Sequence, residues 1–251
     1  MNIADKDLII FDLDGTLSPA KSQMQADTAA ALAKLLAIKK VAVISGGAFP
    51  QFQTQFLASL PSGVEGFSNL YLMPTSGTRL LTWNGSWTER YAENMAPQEK
   101  AAVMGAFHAA LLSAGYHEPA KVYGPVIEDR GSQITFSALG QSAPLAEKVK
   151  WDPDRQKREA IAEILKDKLP QFDVRIGGTT SLDVTRRGVN KAYGIRKLEE
   201  FLKVVPDKIV FIGDALFYGG NDYPAKTTGV DCIAVTGPDE TTKLINGWVG
   251  A

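Results

Sequence analysis

Three apolar runs along the chain end abruptly in acidic or small polar residues. Ile9-Ile10-Phe11 runs into Asp12-Leu13-Asp14-Gly15-Thr16, Val41-Ala42-Val43-Ile44 into Ser45-Gly46-Gly47, and Ile209-Val210-Phe211-Ile212-Gly213 into Asp214. Apolar runs without alternation are the pattern of strands buried on both faces, as in a parallel sheet. Helical spacing fills the intervals. Residues 27–37 are rich in Ala and Leu, Phe52, Phe56, Leu57 and Leu60 recur at helical spacing, and Ala192, Ile195, Leu198, Phe201 and Leu202 make one stripe. This alternation predicts an α/β fold with a doubly wound, Rossmann-like parallel sheet. Short strands follow at 70–73 and 79–83, and Asn84-Gly85 between Trp83 and Trp87 signals a tight hairpin. Residues 230–235 read as a last strand.

The pattern changes at residue 93. Pro97 opens a helix through Ala101, Phe107 and Leu111, and Gly115 ends it. Residues 126–127 and 134–136 flank a Gly131-Ser132 turn. Asp152-Pro153 starts a second helix that stops at Pro170, and residues 174–176 and 182–184 pair across Gly177-Gly178. Helix and hairpin here form an α+β block within an α/β frame. The predicted organisation is therefore a discontinuous core, 1–92 with 188–251, and an inserted α+β cap, 93–187, hinged near Gly188.

Composition narrows the function. Lys+Arg total 27 against 28 Asp+Glu in 251 residues, which leaves no field favouring nucleic acid or an acidic membrane. No apolar stretch approaches a membrane span. The first residues lack the pattern of a signal peptide, so the expected location is cytoplasmic. Cys232 lies in an apolar run and reads as a core residue. His108 and His117 are the only histidines and are not placed for zinc.

The chemistry gathers at the strand ends, where open α/β sheets place it. Asp12 and Asp14 point the same way beyond the first strand. Two carboxylates there repel unless a cation sits between them, so the spacing suggests Mg²⁺. The hydroxyl of Ser45, with the backbone around Gly46 and Gly47, can cradle an anion. Lys191 precedes the amphipathic stripe, and Gly219-Gly220-Asn221-Asp222 follows Asp214.

Taken in this order, these segments resemble the haloacid-dehalogenase-like phosphohydrolase superfamily, from about residue 8 to residue 235. The cap's position and make-up resemble the subclass that includes the eukaryotic-type phosphomannomutases. Local matches are closer still: 12–20 resembles that family's DVDGTLTPA, 213–223 its GD…GGNDY, and 177–184 its GG…SFDV. The resemblance implies that Asp12 is the nucleophile, phosphorylated on its carboxylate, and that Asp14 exchanges a proton with the leaving oxygen and then with water. It implies Mg²⁺ on Asp12, Asp214 and the backbone carbonyl of Asp14. Ser45, Gly46 and Lys191 would grip the phosphoryl oxygens, and Asp222, with Asn221 beside it, would orient Lys191 or a metal-bound water. In the cap, Arg130, Ser181 and Asp183 fall where phosphomannomutases bind the sugar and its distal phosphate.

The chain also departs from that family. Three arginines surround the distal phosphate there, whereas here Arg130 remains and Tyr123 and Gln141 take the other places. The mutases also tend to lack a hydroxyl where this chain has Ser45. Hydrogen bonds to charged groups contribute roughly 1.5–3 kcal/mol each, so losing two weakens retention of a bisphosphate. The expectation is therefore a Mg²⁺-dependent phosphatase of a small phosphorylated metabolite, in particular a sugar phosphate. The alternatives are a phosphomannomutase and, in another class, a non-catalytic sugar-phosphate-binding protein. The sequence leaves open a homodimer through the cap.

Overall fold

The computed structural model describes residues 3–250 and divides the chain into two compact units, Met1–Ala92 with Val189–Ala251, and Glu93–Gly188. The chain begins with β1 (Leu8–Asp12), α1 (Ala26–Leu36) and β2 (Lys40–Ile44). A helical run follows, in which α2 (Phe49–Gln51) passes into a π turn (Phe52–Phe56) and a 3-10 turn (Leu57–Ser59). Then come β3 (Leu70–Met73), β4 (Arg79–Trp83) and β5 (Trp87–Ala92). The inserted unit holds α3 (Pro97–Ser113), β6 (Ile127–Asp129), β7 (Gln133–Ser137), α4 (Leu145–Trp151), α5 (Gln156–Lys168), β8 (Phe172–Gly177) and β9 (Ser181–Arg186). The chain then returns with α6 (Lys191–Leu202), β10 (Ile209–Gly213), β11 (Asp231–Ala234) and α7 (Pro238–Val249).

In the first unit one seven-stranded sheet runs in the order β11-β10-β1-β2-β3-β4-β5. Strands β11, β10, β1, β2 and β3 pair in parallel, and β4 and β5 add antiparallel to the edge. The apolar runs explain this arrangement, since alternate residues face opposite layers. Ile9, Phe11, Val41, Val43, Val210 and Ile212 pack with Leu32 and Leu35 of α1 and Ile245 of α7. Leu8, Ile10, Ala42, Ile44, Ile209 and Phe211 pack with Ile195 and Leu198 of α6. Helices thus cover both faces. Helix α1 has no side-chain N-cap, so its buried stripe rather than its terminus holds it in place. Register sets Asp12 beside Ile44, and Phe11 beside Ile212. The ends of β1, β2 and β10 therefore lie level, and the residues after them meet.

The inserted unit is an antiparallel sheet, β6-β7-β9-β8. Ile134, Phe136, Leu182 and Val184 pack against Val103 and Phe107 of α3 and Ile161 and Leu165 of α5. The alternate positions are polar on both central strands, and register pairs Gln133 with Thr185, Thr135 with Asp183 and Ser137 with Ser181. One face is therefore an apolar core, and the other carries polar side chains that are themselves largely buried. Helix α5 starts at Gln156, not at Asp152. The Asp152 carboxylate instead accepts from the backbone N–H groups of Lys157 (3.0 Å) and Arg158 (3.1 Å), and from Arg158 Nε (2.7 Å). It caps a helix from outside it. Helices α4 and α7 are additions to the elements expected from sequence. Cys232 is half-buried rather than fully in the core, and burial pushes its thiol upward. Among the described residues no helix is long and apolar enough to cross a membrane.

Candidate active site

Asp12 ends β1 and Asp214 follows β10, so parallel pairing brings them together from distant parts of the sequence. Asn190 caps α6, its side chain accepting from Tyr193 N–H at 3.1 Å, which sets Lys191 at the first helical position. The Lys191 ammonium contacts Asp12 Oδ1, donates to the Ile44 carbonyl (2.6 Å) and lies 3.4 Å from Asp222 Oδ1. Asp12 and Lys191 are each 3% exposed, and Asp222 is fully buried. Asp222 Oδ2 accepts from Ala215 N–H at 3.1 Å, which orders the turn after Asp214. Asn221 is exposed on that turn. Asp214 is held by Thr16, whose hydroxyl accepts from Asp214 N–H (3.0 Å) and donates to its carboxylate (3.3 Å). Gly15 has φ 84°, and a Cβ there would come within 2.6 Å of Asp214 Oδ2. Only glycine lets the acidic loop approach the second acid so closely.

One oxygen from each of Asp12, Asp214 and Asp222 lies within 4.8 Å of the others. An all-oxygen cluster of this span suits a hard cation such as Mg²⁺. Metal-free, the cluster sets one ammonium against three carboxyls. Burial pushes Asp12 up to about 8, opposed by Lys191 and reinforced by Asp222 and Asp14. Burial and Asp222 also raise Asp214. For Lys191, burial acts downward, but Asp12 and Asp222 prevail and raise it.

A pH test follows. Between the unfolded value of 3.8 and about 8, the folded metal-free protein holds a proton on Asp12 that the unfolded chain has lost. Its stability from this group is full below the unfolded value and falls as pH rises through the window. Added Mg²⁺ should therefore raise the melting temperature more at about pH 8 than at about pH 5, because the cation replaces that proton. Equal increments at both pH values would contradict this picture.

Ser45 is buried, and its Oγ accepts from Gly47 N–H at 3.1 Å, leaving the hydroxyl proton for an anion. The loop is fixed by Ser76 N–H on the Ser45 carbonyl (2.8 Å) and Thr75 N–H on the Gly47 carbonyl (2.9 Å). Thr75 and Ser76 both have positive φ, at 49° and 58°. Such consecutive left-handed residues persist where surrounding contacts enforce them, often at functional sites. The Asp14 carboxylate is not one of the three that make up this cluster, although it is near enough to raise Asp12. It accepts from Lys21 N–H (2.7 Å), Gln51 Nε2 (3.1 Å) and Gln55 Nε2 (2.7 Å). The sequence reading assigned nothing to these two glutamines or to Ser76.

In the inserted unit, Ser181 Oγ lies 3.1 Å from Ser137 Oγ, and Asp183 Oδ1 accepts from Thr135 Oγ1 at 2.7 Å. Arg130 is buried and pairs with Glu128 at 2.7 Å. Gln141 Oε1 accepts from Ser137 Oγ at 3.0 Å, while the Tyr123 hydroxyl turns to Glu147 at 2.8 Å. Lys148, passed over in the sequence, is 3% exposed and donates to the Gln141 carbonyl at 2.6 Å. A buried cation thus lies against the backbone of Gln141, the position at which the resemblance implied an arginine. In Glu147-Lys148-Val149-Lys150 it reads as one of several solvated charges.

The sequence profile of the family described as eukaryotic phosphomannomutase matches residues 32–249. The chain is 28% identical over 251 residues to a phosphomannomutase of Schizosaccharomyces pombe, covering 94% of this chain and 91% of that one. It is 28% identical over 224 residues to phosphomannomutase 1 of Homo sapiens, covering 86% and 81%. Among solved structures, N-terminally truncated IMP-nucleotidase of Plasmodium falciparum superposes with a TM-score of 0.71 at 19% identity, covering 97% of this chain and 70% of that one. A haloacid dehalogenase-like hydrolase from Bacteroides thetaiotaomicron gives 0.63 at 15% identity, with 96% and 99% covered. At such identities the structures show a shared fold.

Proposed function

We propose, for a chain that belongs to the eukaryotic phosphomannomutase family, that it moves a phosphoryl group between two hydroxyls of a phosphohexose by way of Asp12. The coarser statement, an enzyme of the haloacid-dehalogenase type acting on phosphoryl groups, stands on the family and fold together. The observation that carries phosphoryl transfer through Asp12 is the meeting of Asp12, Lys191, Asp214 and Asp222 at the strand ends, and family membership supports a sugar hydroxyl as the acceptor.

In this reading Asp12 attacks phosphorus and the ester P–O bond breaks, while Lys191 steadies the attacking carboxylate. Ser45 donates its hydroxyl to a phosphoryl oxygen. Asp14 gives a proton to the departing sugar oxygen and takes one from the hydroxyl that later accepts the phosphoryl group from Asp12. Asp12, Asp214 and Asp222 would hold Mg²⁺, which when bound neutralises the repulsion between a carboxylate and an incoming dianion. The polar face of the inserted unit, with Arg130, Ser181 and Asp183, would read the sugar and its other phosphate.

A second reading is hydrolysis, in which water accepts the phosphoryl group. It is favoured by Gln141, a neutral side chain where the family resemblance implies an arginine. Membership of the phosphomannomutase family weighs against it. Mannose 6-phosphate supplied with a catalytic amount of hexose bisphosphate separates the two. The mutase reading expects mannose 1-phosphate with little free phosphate. Free phosphate in proportion to substrate lost, without the isomer, would overturn it in favour of hydrolysis.

A further inference from the structure

We infer that Gln51 and Gln55 are positioning residues that fix the Asp14 carboxylate in the orientation from which it trades a proton with the sugar oxygen. The inference rests on the reading of Asp14 as that proton carrier. Each carboxylate oxygen has its own donor: Gln55 Nε2 and Lys21 N–H on Oδ1, and Gln51 Nε2 on Oδ2. The plane of the carboxylate is thereby set. The two amides also bind each other, Gln51 Nε2 donating to Gln55 Oε1 at 2.8 Å. Gln55 Nε2 further donates to Ser18 Oγ at 2.6 Å, so the amide nitrogen of this 4% exposed side chain is committed to the acidic loop. Its own carbonyl accepts from Met24 N–H at 2.9 Å and pins the far end of the same loop.

The local backbone is shaped for this task. Gln55 sits in the π turn, a rare distortion that concentrates at functional positions. Phe52 and Phe56, on the same run, are fully buried and anchor it in the core. A Cβ at Gly47 would overlap the Gln51 amide oxygen, so the second glycine of Ser45-Gly46-Gly47 leaves the space that Gln51 occupies on its way to Asp14.

In the transfer, an Asp12 oxygen bonds to phosphorus as the ester bond breaks. The electron pair stays on the departing oxygen, and the Asp14 proton joins it. A sugar oxygen needs that proton. A p-nitrophenolate does not, because its negative charge is already stable. A misaligned Asp14 should therefore penalise a phosphohexose and spare an aryl phosphate.

The test measures single-turnover formation of phosphorylated protein from mannose 1-phosphate and from p-nitrophenyl phosphate, in Gln51→Leu, Gln55→Leu and the wild type with Mg²⁺. The sugar-to-aryl rate ratio should fall roughly tenfold or more in each variant, within the range that general acid catalysis supplies. A lost fold would slow both substrates alike, and melting curves identify it. If Gln55→Leu does not fold, Gln51→Leu, at a half-buried position, decides the matter. An unchanged ratio in a folded variant would overturn the positioning role while leaving the function above intact. A wild-type protein that takes up phosphoryl from neither substrate would overturn both.

Discussion

Asp12→Asn will lower turnover of a phosphohexose by roughly four to six orders of magnitude, the scale on which loss of a nucleophile is felt. The amide has nearly the shape of the carboxylate but cannot carry the phosphoryl group. The fold should survive, because Lys191 keeps the Ile44 carbonyl and Asp222 as partners. One of three crowded carboxyls is also removed, which relieves repulsion. Steady-state rates beside a melting curve check both halves. Residual activity within tenfold of the wild type would remove Asp12 from the nucleophile's role.

Lys191→Met has the second large effect, and it falls on stability as well as rate. The ammonium ties the end of β1 to the end of β2 and faces Asp222, and both ionic partners are as buried as it is. Above about pH 8, where Asp12 is ionised, removing one partner of such a cluster leaves uncompensated buried charge, which costs about 3–5 kcal/mol. Without divalent cations the variant should melt far below the wild type. Mg²⁺ should recover a larger share of stability in the variant than it adds to the wild type, since it brings back positive charge to the same acids. Denaturant unfolding in EDTA and in Mg²⁺ reads this directly. A loss that Mg²⁺ does not touch would mean that Lys191 acts through packing of its stem alone.

The parts of this site legible in the sequence share one physical cause. A strand buried on both faces must be continuously apolar, so its end stands out, and the acids after β1 and β10 were visible as interruptions of Ile9-Ile10-Phe11 and of residues 209–213. Ser45 was visible for the same reason. The parts that were hidden depend on direction rather than composition. Gln51 and Gln55 look like ordinary surface positions between Phe49, Phe52 and Phe56, and the π turn leaves no mark in the residues. Lys148 hides among solvated charges and becomes distinct only when α4 buries it. Thr75 and Ser76 carry positive φ without the glycine that would announce it. The polar face of the inserted sheet was half visible: Ser181 and Asp183 were picked out by resemblance. The matching alternation of Gln133, Thr135 and Ser137 on β7 was there to be read as a period of two, and it was missed.

Preference between transfer and hydrolysis shows where resemblance and physics pull apart. Counting arginines in the sequence favours hydrolysis, whereas family membership favours transfer. The chemistry up to the phosphorylated carboxylate is common to both. What differs is only which hydroxyl, of sugar or of water, next meets the phosphorus.

The shared step is therefore the most direct point of test. Wild-type protein quenched during reaction with a phosphohexose and Mg²⁺, then digested and weighed peptide by peptide, should carry one phosphoryl group on Asp12. The group should be absent when EDTA is present, and absent in Asp12→Asn. A phosphoryl group found on another residue, or on Asp12 at full level without any divalent cation, would contradict the account.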